Sequence, residues 1–520
     1  KPMLIRTNGN GQKPHALLLY PKTGLDLGST VAPPHALLTV AAPMLKAGYN
    51  VKLLDQRVER ITEDVLRPLI SSDLMAVGIS TMTGTQCYFA IGLANMVRAV
   101  APKVPIVFGG CHPSVTPEQT LSHPLVDIVA IGEGDDTMRD ILDALGAKRS
   151  LCTVPGIMYT DGSTPVKTLP RTMLNVEELL PTPWELVNPE KYIHRDMYLR
   201  DRARTLDIGQ TSRGCPFDCA FCSSASIRER RWRAMSVDRV LDDLKAAIAR
   251  FKLDGWWWRD DEFYIKRKRA HAIMEGIVQA GIDGSFYTSG TRCDVFGKAT
   301  EDEVALMKRA GAHTLKFGAE SGSQRILDLM QKGITVEQTL EANQKCKRHG
   351  ITPAFALMIG YPTETFEEID QTIDLGYRLK RENPRAELET MAQYTPLPGT
   401  PDWHLALKHG LQPPQSLEEW ANWNFDEYDL DGRKSPWYPR KERRFLGNIS
   451  YLSILANSLD NVVTSLRNPW VRWPARALVK PASRYFKWRL ASHRYRFMPE
   501  LEAVRILREK IFYKSTFTFE

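Results

Sequence analysis

The chain has 520 residues, 43% of them hydrophobic and 25% charged, with a net charge of +8. That length supports two or three domains with sizeable cores, and the balance is that of an ordinary globular protein. No run reaches the roughly 18 apolar residues of a membrane-spanning helix. Lys1–Lys13 lacks the apolar stretch of a secretory signal, so the expected compartment is the cytoplasm.

From residue 14 to about 145, strand-like and helix-like patterns alternate. His15–Tyr20 (HALLLY) is a short apolar run entering a loop, and Pro34–Ala47 reads as a helix closed by Gly48. Further strands are expected at Val51–Asp55, Leu74–Ser80, Pro105–Gly109 and Val126–Ile131, with a helix at Gln86–Val100. Continuous apolar strands alternating with amphipathic helices predict a parallel, doubly wound, Rossmann-like sheet over 1–148. Ligands of such sheets lie beyond the carboxyl ends of the strands. Those loops are Gly24–Pro34, Thr81–Gln86, Gly109–Pro113 and Gly132–Asp135, rich in small or polar residues. The pattern is compatible with a nucleotide, a flavin or a corrin.

Residues 149–204 read as a connector, with a hairpin pattern at Val154–Val166 about its Asp161-Gly162 turn. A second series of strands is expected at Thr205–Thr211, Gly255–Arg259, Ser285–Thr291, Thr314–Gly318, Pro353–Ile359 and Ala386–Tyr394. Helical patterns such as Ser236–Phe251 and Ser323–Met330 lie between them. Six such units predict a partial (β/α)6 barrel of the TIM type over 205–404, with its chemistry at the C-terminal ends of the strands. The remainder, 405–520, reads as a helical region rich in aromatic and basic residues. Arg467 to Arg496 holds nine Lys or Arg residues and no Asp or Glu. Arg472, Arg476, Lys480 and Arg484 recur every four residues among Trp470, Trp473, Tyr485, Phe486, Trp488, Tyr495 and Phe497. Pro474 and Pro481 are expected to break a single helix there. The segment suits an anionic membrane surface, or else a helical domain whose aromatics cover the barrel mouth.

Three of the eight cysteines crowd into one loop, Gly214-Cys215-Pro-Phe-Asp-Cys219-Ala-Phe221-Cys222, directly after the first strand of the second series. A [4Fe–4S] cluster normally takes four cysteines, so a C-x3-C-x2-C loop leaves one iron open, the mark of a catalytic metal site. A structural zinc site would need a second Cys/His pair, and none follows at the expected distance. Cys111-His112 offers two ligands, which do not make a metal site, and Cys87, Cys152 and Cys346 read as ordinary small buried residues.

The cysteine loop, with Phe221 before its third cysteine, resembles the signature of the radical S-adenosylmethionine superfamily. Further segments resemble its cobalamin-dependent branch. They are Arg259-Asp260-Asp261-Glu262-Phe263, Thr291-Arg292-Cys293-Asp294, Gly318-Ala319-Glu320-Ser321-Gly322, Gly360-Tyr361-Pro362 and Pro396-Leu-Pro-Gly-Thr-Pro401. Each alone could be a loop, a turn or a helix cap; their order at successive strand ends carries the resemblance. It implies a [4Fe–4S] cluster on Cys215, Cys219 and Cys222. It also implies S-adenosylmethionine bound near Phe221, Asp261, Arg292, Glu320, Ser321 and Gly360.

The first domain resembles the cobalamin-binding domain of the same branch. The resemblance places cobalamin near Ser80, Thr81, Thr83, Gly84, Gly109, Gly110, His112, Gly132 and Glu133. It departs from cobalamin domains that carry D-x-H-x-x-G, because the second strand ends in Asp55-Gln-Arg57-Val-Glu59, without the cobalt-binding histidine.

The resemblance implies radical methylation of an unactivated carbon, through a 5′-deoxyadenosyl radical and methylcobalamin. The alternatives are oxidative cyclisation or ring rearrangement with the same cofactors, and a non-catalytic cobalamin or iron–sulfur sensor. The expected partners are a small-molecule, hydrophobic or lipid-like substrate and an electron donor such as flavodoxin or ferredoxin. Peripheral contact with the inner face of a membrane follows if the C-terminal segment binds lipid. No nucleic-acid recognition module is visible.

Overall fold

A computed structural model of the chain describes residues 15–24, 31–195, 199, 202–423, 434–457, 469–499 and 501. Residues 1–14, residues 25–30 of the expected Gly24–Pro34 loop, and the side chains of Trp470, Arg472, Trp473 and Arg476 lie outside the described set. Two compact units emerge among the described residues: 15–192 together with 414–423, and 193–413 together with those from 434 to 501.

The first unit is a doubly wound sheet. Its strands are β1 (Ala16–Tyr20), β2 (Val51–Asp55), β3 (Ala76–Ser80), β4 (Ile106–Gly109), β5 (Ile128–Ala130), β6 (Ile157–Asp161) and β7 (Thr164–Lys167), in the order β2-β1-β3-β4-β5-β6-β7. β1 to β5 are parallel, and each reads as a continuous apolar run because helices such as His35–Lys46 and Thr85–Val100 cover both faces. Strand order reverses between β1 and β3, so a crevice opens at their carboxyl ends. Residues 149–204 are more than a connector. β6 and β7 from this stretch join the sheet antiparallel and occupy the outer edge of β5, which would otherwise present unpaired backbone groups.

The second unit is an open parallel barrel. β8 (Thr205–Gly209) is followed by the short antiparallel pair β9 (Ser212–Arg213) and β10 (Arg233–Ala234). β11 (Gly255–Trp258), β12 (Ser285–Thr291), β13 (Ala312–Glu320) and β14 (Thr352–Ile359) continue the main sheet. The sixth expected strand is two short pieces, β15 (Glu387–Leu388) and β16 (Ala392–Gln393), both paired to β14. Strand order is β15-β14-β13-β12-β11-β8. Helices start where the sequence offers caps: Ser236 accepts the amide of Arg239, and Thr300, Thr335 and Thr365 each form a full capping box. The core stacks Trp256, Trp258, Phe263 and Phe286 between strands and helices.

Pro469–Ala491 is one helix that runs through Pro474 and Pro481, against the expectation of a break. Both prolines are exposed and lie seven residues, about two turns, apart. They thus share one exposed side of the helix, where water can satisfy the carbonyls that a proline leaves unbonded. Among the described residues no helix is long and apolar enough to cross a membrane.

Candidate active site

The cysteine loop follows β8 and is braced from several sides. Asp260, fully buried beyond β11, accepts hydrogen bonds from Thr211 N (3.0 Å), Thr211 Oγ1 (3.2 Å), Ser212 Oγ (2.6 Å) and Ser212 N. Burial pushes its carboxyl up to about 6, and the Ser212 and Thr211 donors oppose that rise. Asp261 accepts the amide of Gly214 at 2.8 Å. Gly214 has φ +86°, and a Cβ there would meet the Arg231 carbonyl oxygen at 2.1 Å. Ala220, inside the loop, donates to Met330 O (2.8 Å) and accepts from the amide of Asp402 (3.1 Å). The loop is thus tied to the segment after β11, to the C-cap of helix Gln324–Leu329 and to the first turn of helix Pro401–Lys408.

Cys219 is buried, and Cys215 and Cys222 are partly so; Cys87 and Cys346 are buried as expected, whereas Cys152 is exposed, on the short surface turn Leu151–Thr153. Burial raises the Cys215 thiol to about 11, and raises that of Cys222, with the neighbouring thiols adding to the rise. Ionising these two thiols therefore calls for a local positive charge. Part of it is present: Arg292 Nη1 lies 3.5 Å from Cys219 Sγ, its guanidinium stacks on Phe217 at 3.7 Å, and its Nε pairs with Asp294 at 2.9 Å. Among the described residues no three His, Cys, Asp or Glu side chains are grouped around a single metal ion. A cubane distributes its thiolates over separate irons, so three cysteines on one loop with cations beside them fit it.

Glu320 ends β13 in the left-handed region, at φ 59°, where non-glycine residues are strained. Its carboxylate is held by Lys332 at 2.7 Å. Burial opposes the charge of Lys332, but Glu320 and Cys219 outweigh it and raise the ammonium's pKa. The same ammonium sits 5.6 Å over the ring of Phe221. Phe221 packs with Ile326, Met330, Tyr361 and Tyr394. Ser321 is fully buried and its hydroxyl is committed to Thr372 Oγ1 (3.2 Å) and to the amide of Ser323 (3.1 Å), so it fixes the turn after Glu320. Gly360, at φ +84°, donates its amide to Glu364 at 2.6 Å.

Cys215, Cys219, Cys222, Phe221, Asp261, Arg292, Glu320, Ser321 and Gly360 all lie at or just past the carboxyl ends of barrel strands. Sequence reasoning missed Lys332, which no motif marks. It also missed the buried pair Tyr361 Oη–Asp402 Oδ1 at 2.6 Å, where burial lifts the Asp402 carboxyl to about 6. Tyr361 is the variable letter of the Gly-x-Pro turn and Asp402 directly follows Pro401, so neither stood out.

In the first unit, the loops after β3, β4 and β5 are linked. Thr81 N donates to Gly109 O (2.7 Å), His112 N donates to Thr81 O (3.2 Å), and Gly132 N donates to Ser114 Oγ (2.9 Å). Gly110, at φ +103°, is required because a Cβ would lie 2.7 Å from Thr81 O. Gly132, at φ +80°, borders open space. Ser80 and Thr81 are buried at the start of the β3 loop, and Thr83 and Gly84 follow on it. His112 is fully buried; its ring nitrogens meet Thr83 Oγ1 (3.1 Å) and Thr116 Oγ1 (3.2 Å), and burial drops its pKa to about 3. Its neutral ring presents no free nitrogen. Glu133 is likewise engaged, accepting from the amide of Leu174 at 3.3 Å.

The Radical SAM superfamily profile matches residues 210–376, and the B12 binding domain profile matches residues 28–142. An uncharacterized methyltransferase of Pyrococcus horikoshii is 33% identical over 387 residues, which is 74% of this chain and 80% of the relative. The hopanoid C-3 methylase of Methylococcus capsulatus is 29% identical over 393 residues, 74% of this chain and 70% of the methylase. Among solved structures, the cobalamin-dependent S-adenosylmethionine radical enzyme OxsB shares the fold. Its TM-score is 0.72 at 19% identity, over 97% of this chain and 76% of OxsB.

Proposed function

Since the chain belongs to the radical S-adenosylmethionine enzymes that carry a cobalamin-binding domain, we propose that it methylates an unactivated carbon of a small hydrophobic molecule. The observation that carries this reading is the braced three-cysteine loop with Arg292 and Lys332 beside it, in a chain that also holds a doubly wound unit with linked strand-end loops. When bound, the cluster supplies the electron that cleaves S-adenosylmethionine, and cobalamin carries the methyl group.

Each residue has a part in this. Cys215, Cys219 and Cys222 would hold the cluster, and Asp260 and Asp261 keep their loop in register. Arg292 offsets the negative charge of the thiolates through its contact with Cys219. Glu320, anchored by Lys332, accepts hydrogen bonds from S-adenosylmethionine, while Phe221 and the Gly360 turn shape the apolar floor. Ser321 acts through the turn it fixes. In the first unit Ser80, Thr81, Thr83, Gly84, Gly109, Gly110 and Gly132 line the corrin, supported by His112 and Glu133. The electron donor is a small redox protein of the flavodoxin or ferredoxin kind. The basic and aromatic face around Lys480–Phe497 rests on the inner face of an anionic membrane, which gives access to a lipid-like substrate.

The test is an anaerobic assay of reconstituted protein with S-adenosylmethionine, a strong reductant and hydroxocobalamin, read by mass spectrometry. Formation of 5′-deoxyadenosine together with S-adenosylhomocysteine, both lost in Cys219→Ala, is the expected result. A cyclised substrate without S-adenosylhomocysteine overturns the methylase reading in favour of a cyclase. Bound cofactors with no 5′-deoxyadenosine when hydrophobic candidate substrates are supplied overturn it in favour of a sensor.

A further inference from the structure

We propose that Trp420 and the turn that carries it position the cobalamin-facing loop of the first unit, acting through His112 on Thr83; this rests on the cobalamin reading above. The chain leaves the second unit at Pro413, and residues 414–424 belong to the first. There the turn Glu419–Asn422 packs on the helix Thr85–Val100, which begins where the β3 loop ends.

The attachment is specific. Trp420 is buried, its indole N–H donates to Gln119 Oε1, and Gln119 Nε2 in turn donates to Pro414 O at 3.0 Å. His123 Nε2 pairs with Glu418 Oε1 at 3.0 Å. The Trp420 ring meets the His112 ring edge-on, with centroids 5.2 Å apart and planes at 63°. His112 touches both Trp420 and the β3 loop, its ring meeting Thr83 Oγ1 at 3.1 Å and its amide donating to Thr81 O at 3.2 Å. The indole keeps water off the imidazole, and burial holds that imidazole neutral. A neutral ring can accept at one nitrogen while it donates at the other, so it can bridge Thr83 and Thr116 at once.

Trp420 therefore holds the imidazole that Thr83 Oγ1 is hydrogen-bonded to. Without the indole, the His112 ring is wetted and free to protonate, and it loses the geometry that fixes the loop. Trp420 is a positioning residue, since nothing places it on the cofactor itself.

The experiment uses the full chain, reconstituted anaerobically. Hydroxocobalamin is titrated into wild type, Trp420→Ala, Trp420→Phe, Thr83→Val and the Trp420→Ala/Thr83→Val pair, followed by ultraviolet–visible spectra and the paramagnetic spectrum of the reduced cobalamin. Iron content serves as the control for the second unit. Trp420→Ala is expected to weaken cobalamin binding about tenfold and alter the cobalt spectrum with iron loading unchanged. Trp420→Phe should recover most of the affinity. The double variant should be no worse than Thr83→Val alone, because both act through one chain of contacts. If Trp420→Ala proves insoluble, Trp420→Leu, which keeps apolar bulk but not the ring edge against His112, takes its place alone and in the pair with Thr83→Val. Unchanged affinity and spectrum in Trp420→Ala, or additive losses in the pair, overturn the inference and leave the cobalamin reading standing. A wild-type chain that binds no cobalamin overturns both.

Discussion

Lys332 Nζ lies 2.7 Å from Glu320 Oε1, and the space for that contact exists because residue 318 has no side chain. A Cβ on Gly318 would sit 2.4 Å from Glu320 Oε1 and 2.8 Å from Lys332 Nζ. Both are ends of flexible side chains, so Gly318→Ala should leave the barrel folded while displacing the pair. We expect reconstituted Gly318→Ala to lose affinity for S-adenosylmethionine, measured by calorimetric titration, with its iron content intact. Lys332→Met removes one partner of a buried pair and should cost about 3–5 kcal/mol in chemical denaturation. Wild-type affinity in Gly318→Ala would show that Glu320 has no part in binding.

Asp260 supports the cysteine loop without being a ligand. Its carboxylate accepts from Thr211 and Ser212, the residues that lead into Gly214 and Cys215. Asp260→Ala leaves those buried donors unsatisfied, at about 1–3 kcal/mol each. The expected outcome is poor iron and sulfide incorporation although all three cysteines remain. Asp260→Asn keeps one carbonyl oxygen for the backbone amides and should retain most of the cluster. Equal iron content in Asp260→Ala and wild type would refute this.

The alternation of strands and helices was readable because a parallel strand covered on both faces is an uninterrupted apolar run; ALLLY at β1 and AVGIS at β3 are examples. Ser236 was readable as the start of its helix because the cap is a local interaction. The cysteine loop was readable because cluster ligands on one segment fix their own spacing. Lys332 was not, since its role depends on the approach of a turn to Glu320 in space. Trp420 is separated from Gln119 by 301 residues and no local pattern encodes that pairing. The edge role of β6 and β7 also depends on which strand was left uncovered. Pro474 and Pro481 misled because a helix tolerates prolines on a wet face.

Glu364 predicts a pH dependence. One oxygen accepts the amides of Gly360 (2.6 Å) and Tyr361 (3.0 Å), and the other is buried without a hydrogen-bond partner among the described residues. Burial raises its carboxyl to about 8 from an unfolded value of 4.5, with the two amides opposing. The folded state therefore holds a proton that the unfolded state has released between these values. Stability should fall as pH rises from about 4.5 to about 8, by a few kcal/mol at most. Glu364→Gln mimics the protonated form. Its thermal midpoint should match wild type near pH 5 and exceed it near pH 8.5, each measured by calorimetry on cluster-free protein. Parallel curves for the two proteins would rule Glu364 out as the titrating group.

The helix Pro469–Ala491 and the residues after it bear on where the protein works. Tyr485, Trp488 and Phe497 are 46%, 50% and 77% exposed, a concentration of large apolar side chains that a surface facing only water would not favour. Exposed Lys480 and Arg484 lie on the same helix, and Arg494 sits 4.8 Å over the Trp488 ring. Basic residues near an anionic surface contribute about 1 kcal/mol each and are screened by salt, whereas buried aromatic rings are not. Binding to vesicles containing phosphatidylglycerol should thus be strong at low salt and weaken as salt rises. Trp488→Ala/Phe497→Ala should weaken it further without changing 5′-deoxyadenosine formation in detergent-free buffer. Sedimentation with the vesicles measures the first effect and the activity assay the second. If the double variant instead loses activity with vesicles absent, the aromatics serve the substrate site. Equal binding to neutral vesicles would remove the electrostatic part of the argument.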